Sequence, residues 1–294
     1  MLLSPEGVAF VTGAGGAVGR ATVLQFARDG VVKMAGLDIA EPGLQETARL
    51  LKEVSPAARF LPLVADLTDG DQVRKAFQTV VDQFGRVDYA VNNAGIGAPH
   101  ALTADAADAD FDRVLGVNVR GVWNCERLEL EQMAKQTPLP PVGGGVPGRV
   151  PSRGAIVNVD SVLGLLAMPK IALYTMSKHC VLGLTKTDAL DYARLGVRVN
   201  AVCPGFIDTP LLTEEARNVL APSIAKTAMG RLANAQEIAD AIIYLCSERS
   251  SYMTGVSLAI NVLRFFTLHM NRDGGRHFDD LRPASWIPFS SRRV

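Results

Sequence analysis

Ser161, Tyr174 and Lys178 are the residues of this chain whose types and spacing could do chemistry. Tyr174 and Lys178 stand four apart in ALYTMSKHC, so on a helix they share one face and the lysine ammonium lies beside the phenol ring. In that position the ammonium favours the phenolate and draws the phenol from its ordinary value of about 10 toward working pH. Such a phenol gives a proton to a carbonyl oxygen or takes one from an alcohol. Ser161 lies thirteen residues before Tyr174, behind the apolar run AIVNV. The trio points to proton-coupled hydride exchange on a carbonyl or an alcohol. A Tyr and a Lys at this spacing also arise by chance in a long helix, so the elements around them decide.

The segment GVAFVTGAGGAVGRATVLQFARDG reads as an apolar strand, a glycine-rich turn and an amphipathic helix. Gly13, Gly15, Gly16 and Gly19 let backbone N–H groups approach a pyrophosphate at the helix N-terminus, although their spacing is looser than the common G-x-G-x-x-G fingerprint. Nineteen residues past Gly19 the next apolar run ends in Asp38, close to the offset at which a carboxylate meets the adenosine ribose. A carboxylate there accepts from ribose hydroxyls and repels a 2′-phosphate, which favours NAD. Ile39 and Gly16 bring no charge, whereas Arg20 opens the helix and keeps NADP in play.

Short apolar runs alternate with helix-length segments along the chain. GVAFV, KMAGL, FLPLV, YAVNN, AIVNV, VRVNAV and VSLAI are the strand candidates, and helices are expected over 71–84, 111–136, 173–195 and 235–246. This pattern predicts an α/β fold, a single-domain doubly wound parallel sheet of about seven strands with helices on both faces. Ligands of such sheets bind at the strands' carboxyl ends, and the glycine loop, Asp38, Asp66, Asn92, Ser161 and Pro204-Gly205 all follow strand candidates.

These motifs, in this order, resemble the short-chain dehydrogenase/reductase superfamily in its compact single-domain branch. The likeness runs from about Gly7 to Ile260 through Thr12-Gly13 to Gly19, Asp66-Leu67, Asn92-Asn93-Ala94-Gly95, Asn118, Ser161, Tyr174 with Lys178, and Pro204-Gly205 followed by Thr209. TGAGGAVG also fits the longer epimerase-like branch, but the Asn-Asn-Ala-Gly run and the Pro204-Gly205 turn resemble the compact one. The resemblance implies a catalytic set of Asn118, Ser161, Tyr174 and Lys178. Tyr174 would be the general acid/base, Lys178 would also hold the nicotinamide ribose, and Asn118 would hold a water linking Lys178 to solvent. It implies a cofactor site of Thr12, Gly13, Gly15, Gly16, Ala17, Val18, Gly19, Asp38, Asp66, Leu67, Asn93, Ala94, Gly95, Tyr174, Lys178, Pro204, Gly205, Ile207 and Thr209. Asn92 and Asn93 equally suit structural bonds between strands. The substrate is expected to be a small, partly apolar alcohol or ketone, under a lid of residues 206–230 carrying Leu211, Leu212, Val219 and Leu220, with Met168 and Leu163 opposite. A homodimer or homotetramer is implied through the helices over 111–136 and 173–195.

Composition fits a single folded domain of this kind. Of 294 residues 48% are hydrophobic and 20% charged, enough for a sizeable core. Thirty basic residues balance thirty acidic ones, which gives no electrostatic case for a nucleic-acid or anionic-membrane partner. Cys125, Cys180, Cys203 and Cys246 lack C-x-x-C spacing and read as reduced core residues. His100 reads as a solvated loop residue, His179 points about 100° away from Lys178 on a helix, and His269 and His277 lack metal-ligand spacing, so no metal is expected. MLLSPEGVAF has no signal-peptide pattern, and the expectation is a cytoplasmic protein. Asp160, beside Ser161, reads as structural, since neighbours on an extended segment face opposite ways.

Two segments depart from a compact design. Residues 137–153 fall in a Pro/Gly-rich stretch without periodicity and read as a mobile surface excursion within a catalytic domain of residues 1–261. Residues 262–294 read as an atypical, partly disordered extension, because VLRFFTLHMN separates the last strand from the Asp-Gly-Gly that commonly closes the family's fold. Two alternatives stand beside the oxidoreductase: a non-redox cyclase or isomerase on the same scaffold, and a catalytically silent dinucleotide-binding scaffold.

Overall fold

The computed structural model describes residues 3–142, 150–209, 212 and 214–260, apart from the side chains of residues 215, 216 and 219. The expected extension 262–294, and Leu211 and the Val219 side chain in the expected lid, lie outside the described residues.

Seven parallel strands form one sheet in the order β3-β2-β1-β4-β5-β6-β7. They are β1 (Val8–Thr12), β2 (Lys33–Asp38), β3 (Arg59–Val64), β4 (Tyr89–Asn92), β5 (Gly154–Val159), β6 (Val197–Pro204) and β7 (Ser257–Ile260). Successive strand residues face opposite layers, and both layers here are apolar. Ala9 and Val11 enter a core with Phe26, Met34, Ile238 and Ile242, while Val8 and Phe10 enter a second core with Phe77, Val80, Met133 and Ile156. Helices α1 (Ala17–Arg28) and α8 (Ala235–Cys246) cover the first face, α3 (Gly70–Phe84), α5 (Val122–Lys135) and α6 (Ala172–Tyr192) cover the second, and α7 (Glu214–Ala225) lies between β6 and α8 in the chain. The order reverses between β1 and β4, and the crevice above that switch point is where a doubly wound sheet takes its ligand.

Strand and helix positions match expectation to within two or three residues, α6 giving way to a 3-10 turn over Ala193–Leu195, with one exception. The single helix expected over 111–136 is instead α4 (Asp108–Leu115), a π-helical turn over Gly116–Gly121, and α5. The wide turn follows from Asn118, whose side chain donates to the Ile96 carbonyl at 2.9 Å and accepts from the Ile96 N–H at 2.8 Å, both outside the helix. Such bulges concentrate at functional sites. Gly121, which ends the turn, lies against Leu67, where a Cβ would stand 3.0 Å from the leucine Cβ.

Two further expectations are corrected. Cys125, Cys203 and Cys246 are buried, but Cys180 is exposed, because it lies on the outer face of α6. The described flanks of the Pro/Gly-rich insertion are anchored: Leu139 N–H donates to Ser152 O at 3.3 Å, and Val142 N–H to Glu248 Oε1 at 3.0 Å. They wall a cavity of about 700 Å³ with Tyr89, Val197 and Tyr252, at the amino end of the sheet and away from the motif-bearing strand ends.

Candidate active site and dinucleotide cleft

Between β1 and α1 the chain turns so tightly that only glycine fits. Gly13 has φ +64°, and a Cβ there would stand 2.7 Å from Asn93 Nδ2 and 2.9 Å from Ala94 Cα. A Cβ on Gly19 would overlap the Gly13 carbonyl, so α1 packs on the loop only without a side chain at that position. Gly16 caps α1 with no side-chain hydrogen bond, and the first turn holds no acidic residue. The free N–H groups of Ala17, Val18 and Gly19 and the positive end of the helix dipole therefore face the crevice, a cradle suited to a pyrophosphate.

Thr12 and Asn93 bind this loop to β4. Thr12 Oγ accepts from the N–H of Asn93 at 3.0 Å and of Ala94 at 3.1 Å, and Asn93 Nδ2 donates to the carbonyls of Thr12 at 3.0 Å and Gly13 at 3.2 Å. The structural reading of Asn93 thus holds, and Asn92 is structural as well: its Nδ2 donates to Asn158 Oδ1 and Glu129 Oε2, both at 3.0 Å.

Asp38 ends β2 beside the loop, where Oδ2 accepts from Gly15 N–H at 2.9 Å and Oδ1 from Ala40 N–H at 3.0 Å. Arg20 is turned inward. Its Nε donates to Thr47 Oγ at 3.1 Å and its Nη2 to the carbonyls of Gly15 at 2.8 Å and Gly43 at 3.4 Å, joining α1 to α2 (Glu41–Val54). Past β3, Asp66 Oδ1 accepts from both the N–H and the hydroxyl of Thr68 at 2.8 Å, and the Leu67 carbonyl accepts from Asn124 Nδ2 at 2.9 Å.

The second half of the site is built by α6 against the end of β5. Lys178 is 5% exposed; its Nζ donates to the Val159 carbonyl at 3.0 Å and lies 5.7 Å from the centre of the Tyr174 ring. Two residues beyond Val159, Ser161 enters a tight turn over Val162–Gly164, its Oγ accepting from Leu163 N–H at 3.1 Å. Asn118 Nδ2 donates to Ser177 Oγ at 3.1 Å, and Ser177 in turn donates to the Tyr174 carbonyl at 2.8 Å. A Cβ on Gly95 would stand 3.4 Å from Asn118 Oδ1 and 3.7 Å from Lys178 Nζ, so Asn118, Lys178 and the Asn-Asn-Ala-Gly loop meet at one point. Pro204 ends β6, Gly205 N–H donates to Ile260 O at 2.9 Å, and Ile207 bridges to Ala233 ahead of Thr209. His179 points outward, its Nδ1 at 2.9 Å from the Thr175 carbonyl, and His100 is exposed. Leu163 is buried.

Beneath the site lies a polar layer that sequence reading missed. Glu126 and Glu129 are fully buried on α5. Asn158 Nδ2 donates to Glu126 Oε2 at 3.0 Å and to Thr185 Oγ at 2.9 Å, and Asn92 reaches Glu129. Burial raises the Glu129 carboxyl to about 8 and, with the Glu129 charge, pushes Glu126 well above the usual carboxylate range. The available signal was Glu at i and i+3 in a segment otherwise facing the sheet. No group of His, Cys, Asp and Glu among the described residues forms a metal site.

A glycine cradle at a helix N-terminus, a carboxylate at the end of β2 and a Tyr-Lys pair beside a serine define a nicotinamide-dinucleotide oxidoreductase on a Rossmann-like fold. Residues 13–262 match the sequence profile described as Enoyl-(Acyl carrier protein) reductase. The short-chain dehydrogenase fogB of Aspergillus ruber is 43% identical over 263 residues, covering 87% of this chain and 95% of that protein. Among solved structures, levodione reductase superposes with a TM-score of 0.78 at 32% identity, covering 87% of this chain and 96% of the other. NAD+-bound xylitol dehydrogenase superposes with a TM-score of 0.77 at 30% identity, covering 87% and 98%. The chain belongs to the short-chain dehydrogenase/reductase superfamily. It is an NAD(P)-dependent oxidoreductase of the alcohol dehydrogenase/ketone reductase kind, and nothing found favours the cyclase or scaffold alternatives.

Proposed function

We propose that this protein exchanges hydride between NAD and a small, partly apolar secondary alcohol or ketone, with Tyr174 as general acid/base. The observation that carries the reading is the Lys178 ammonium held at 3.0 Å on the Val159 carbonyl, beside the Tyr174 ring and two residues from Ser161. When bound, the nicotinamide gives or takes the hydride. Everything else falls to this chain. Tyr174 Oη gives its proton to the carbonyl oxygen in reduction and takes the hydroxyl proton in oxidation. Ser161 Oγ donates to that same oxygen, and its own acceptor side is already engaged by Leu163 N–H, which orients the hydroxyl. Lys178 holds the nicotinamide ribose from its place beside the Tyr174 ring. Asn118 fixes the Ile96 segment and, through Ser177, the first turns of α6, and its place beside Lys178 suits a water path to solvent.

For the cofactor, the free N–H groups from Ala17 to Gly19 suit the pyrophosphate and the Asp38 carboxylate suits the ribose hydroxyls. Asp66 and Leu67 suit the adenine, Asn93, Ala94 and Gly95 the adenosine side of the cleft, and Pro204, Gly205, Ile207 and Thr209 the nicotinamide end. Three bonds to Thr47, Gly15 and Gly43 hold the Arg20 guanidinium away from a 2′-phosphate, which supports NAD over NADP. Residues 1–261 form the catalytic domain, and 262–294 extend it. The protein is cytoplasmic and pairs with a second copy through α5 and α6; no helix among the described residues is long and apolar enough to cross a membrane.

Calorimetric titration with both cofactors checks this choice. NAD should bind at least tenfold more tightly than NADP, and Asp38→Ala should weaken NAD by about tenfold or more while sparing NADP, the range of one or two charge-assisted hydrogen bonds. Equal affinities in the wild type would count against the assignment of Asp38.

A further inference from the structure

Asp160 separates two parts of the proposed site and has no task in it. The carbonyl before it, Val159 O, accepts the Lys178 ammonium, and the residue after it is Ser161. The Asp160 side chain is 5% exposed. It is enclosed by β6, α6 and the Val162–Gly164 turn: Cys203 Sγ lies 3.9 Å from Oδ2, and any side chain at Gly164 would overlap that oxygen and expel the carboxylate. Oδ1 is buried with no hydrogen-bond partner. A sealed carboxylate with one bare oxygen is costly, and an amide or an apolar residue would remove the charge from the pocket.

We propose that Asp160 is a positioning residue for the reaction: ionised, it is a countercharge behind Lys178 and Ser161 that opposes negative charge on the substrate oxygen, and protonated, it withdraws that opposition. This rests on the oxidoreductase reading of the same site. Cys203 from β6 and the Ser161 backbone face the carboxyl, and the charges felt there are those of Lys178 and, more weakly, of the outward-pointing His179 on α6. Burial pushes the carboxyl up to about 7, with the Lys178 charge pulling the other way, so the switch falls near neutral pH. As pH rises through that value Asp160 ionises, its charge sets itself against the Lys178 ammonium and against negative charge developing on the oxygen held by Ser161, and alcohol oxidation loses part of its rate. Asp160→Asn lacks that step.

The test is kcat/KM for NAD-dependent oxidation of cyclohexanol and 2-octanol between pH 6 and 9, for wild type and Asp160→Asn. The ratio of variant to wild type should climb by about threefold or more across the range, the scale of one partly screened charge at short distance. Asp160→Ser, a second neutral replacement, should give the same climb even where its melting temperature is lower. A ratio flat in pH would reduce Asp160 to a structural residue and overturn the proposal while leaving the oxidoreductase reading in place. No turnover of either alcohol by the wild type, at any pH, would overturn both.

Discussion

At Asp160, burial and charge act in opposite directions, and the balance is measurable apart from catalysis. Its carboxyl is raised to about 7 in the folded chain against roughly 4 in an unfolded one, so between those values the folded state binds the extra proton. The stability tied to that proton is full below the unfolded value and lost as pH climbs through about 7. The unfolding free energy of the wild type should therefore fall by about 1–3 kcal/mol more than that of Asp160→Asn between pH 5 and 8, read from denaturant melts. Glu129, raised to about 8 by burial, acts in the same direction in both proteins and cancels in the comparison. Tyr174, Lys178, Ser161 and Asp38 were legible in the sequence because each carries its chemistry in its type and its offset from a neighbour. Asp160 was legible only as a neighbour of Ser161, since its weight comes from Gly164 and Cys203, which close around it only in the fold.

Among the elements, the β1-α1 turn bears the sharpest prediction. A methyl at Gly19 would strike the Gly13 carbonyl, so Gly19→Ala must displace either the loop or the start of α1. We expect NAD affinity to drop more than tenfold by calorimetry; undiminished affinity would mean the loop does not hold the pyrophosphate. As a control far from the cleft, Asn234→Ala removes the reciprocal capping box with Glu237 at the start of α8 and should cost about 1 kcal/mol of stability with kcat/KM unchanged. The strands and most helices were readable because apolar runs and helical periods alternate with little interruption. The π-helical turn was not, because VLGVNVRGVWNC keeps a helical pattern straight through it. What widens the turn is a bond from Asn118 to Ile96, a residue 22 positions away, which no local pattern encodes. The buried pair Glu126 and Glu129 escaped notice for a related reason: a carboxylate is read as solvent-facing until its partners Asn158 and Asn92 are in place.

For the whole molecule, the sheet order 3-2-1-4-5-6-7 puts the glycine loop, Asp38, Asn93 and Ser161 on one edge, although they are scattered along the chain from Gly13 to Ser161. The outer faces of α5 and α6 carry Trp123 at 47% and Leu190 at 81% exposure, with the Arg127 guanidinium 4.5 Å from the Trp123 ring. If those faces pair two copies, Trp123→Glu with Leu190→Asp should halve the mass seen by light scattering; an unchanged mass would place the contact elsewhere. The central claim, a protein that moves a proton through one phenol while NAD carries the hydride, is tested most directly by Tyr174→Phe. NAD affinity and alcohol oxidation would be measured side by side in the variant and the wild type. The account predicts NAD binding within about twofold of wild type and a kcat lower by about a hundredfold or more, the usual worth of a positioned proton donor. Turnover in Tyr174→Phe equal to that of the wild type would contradict it.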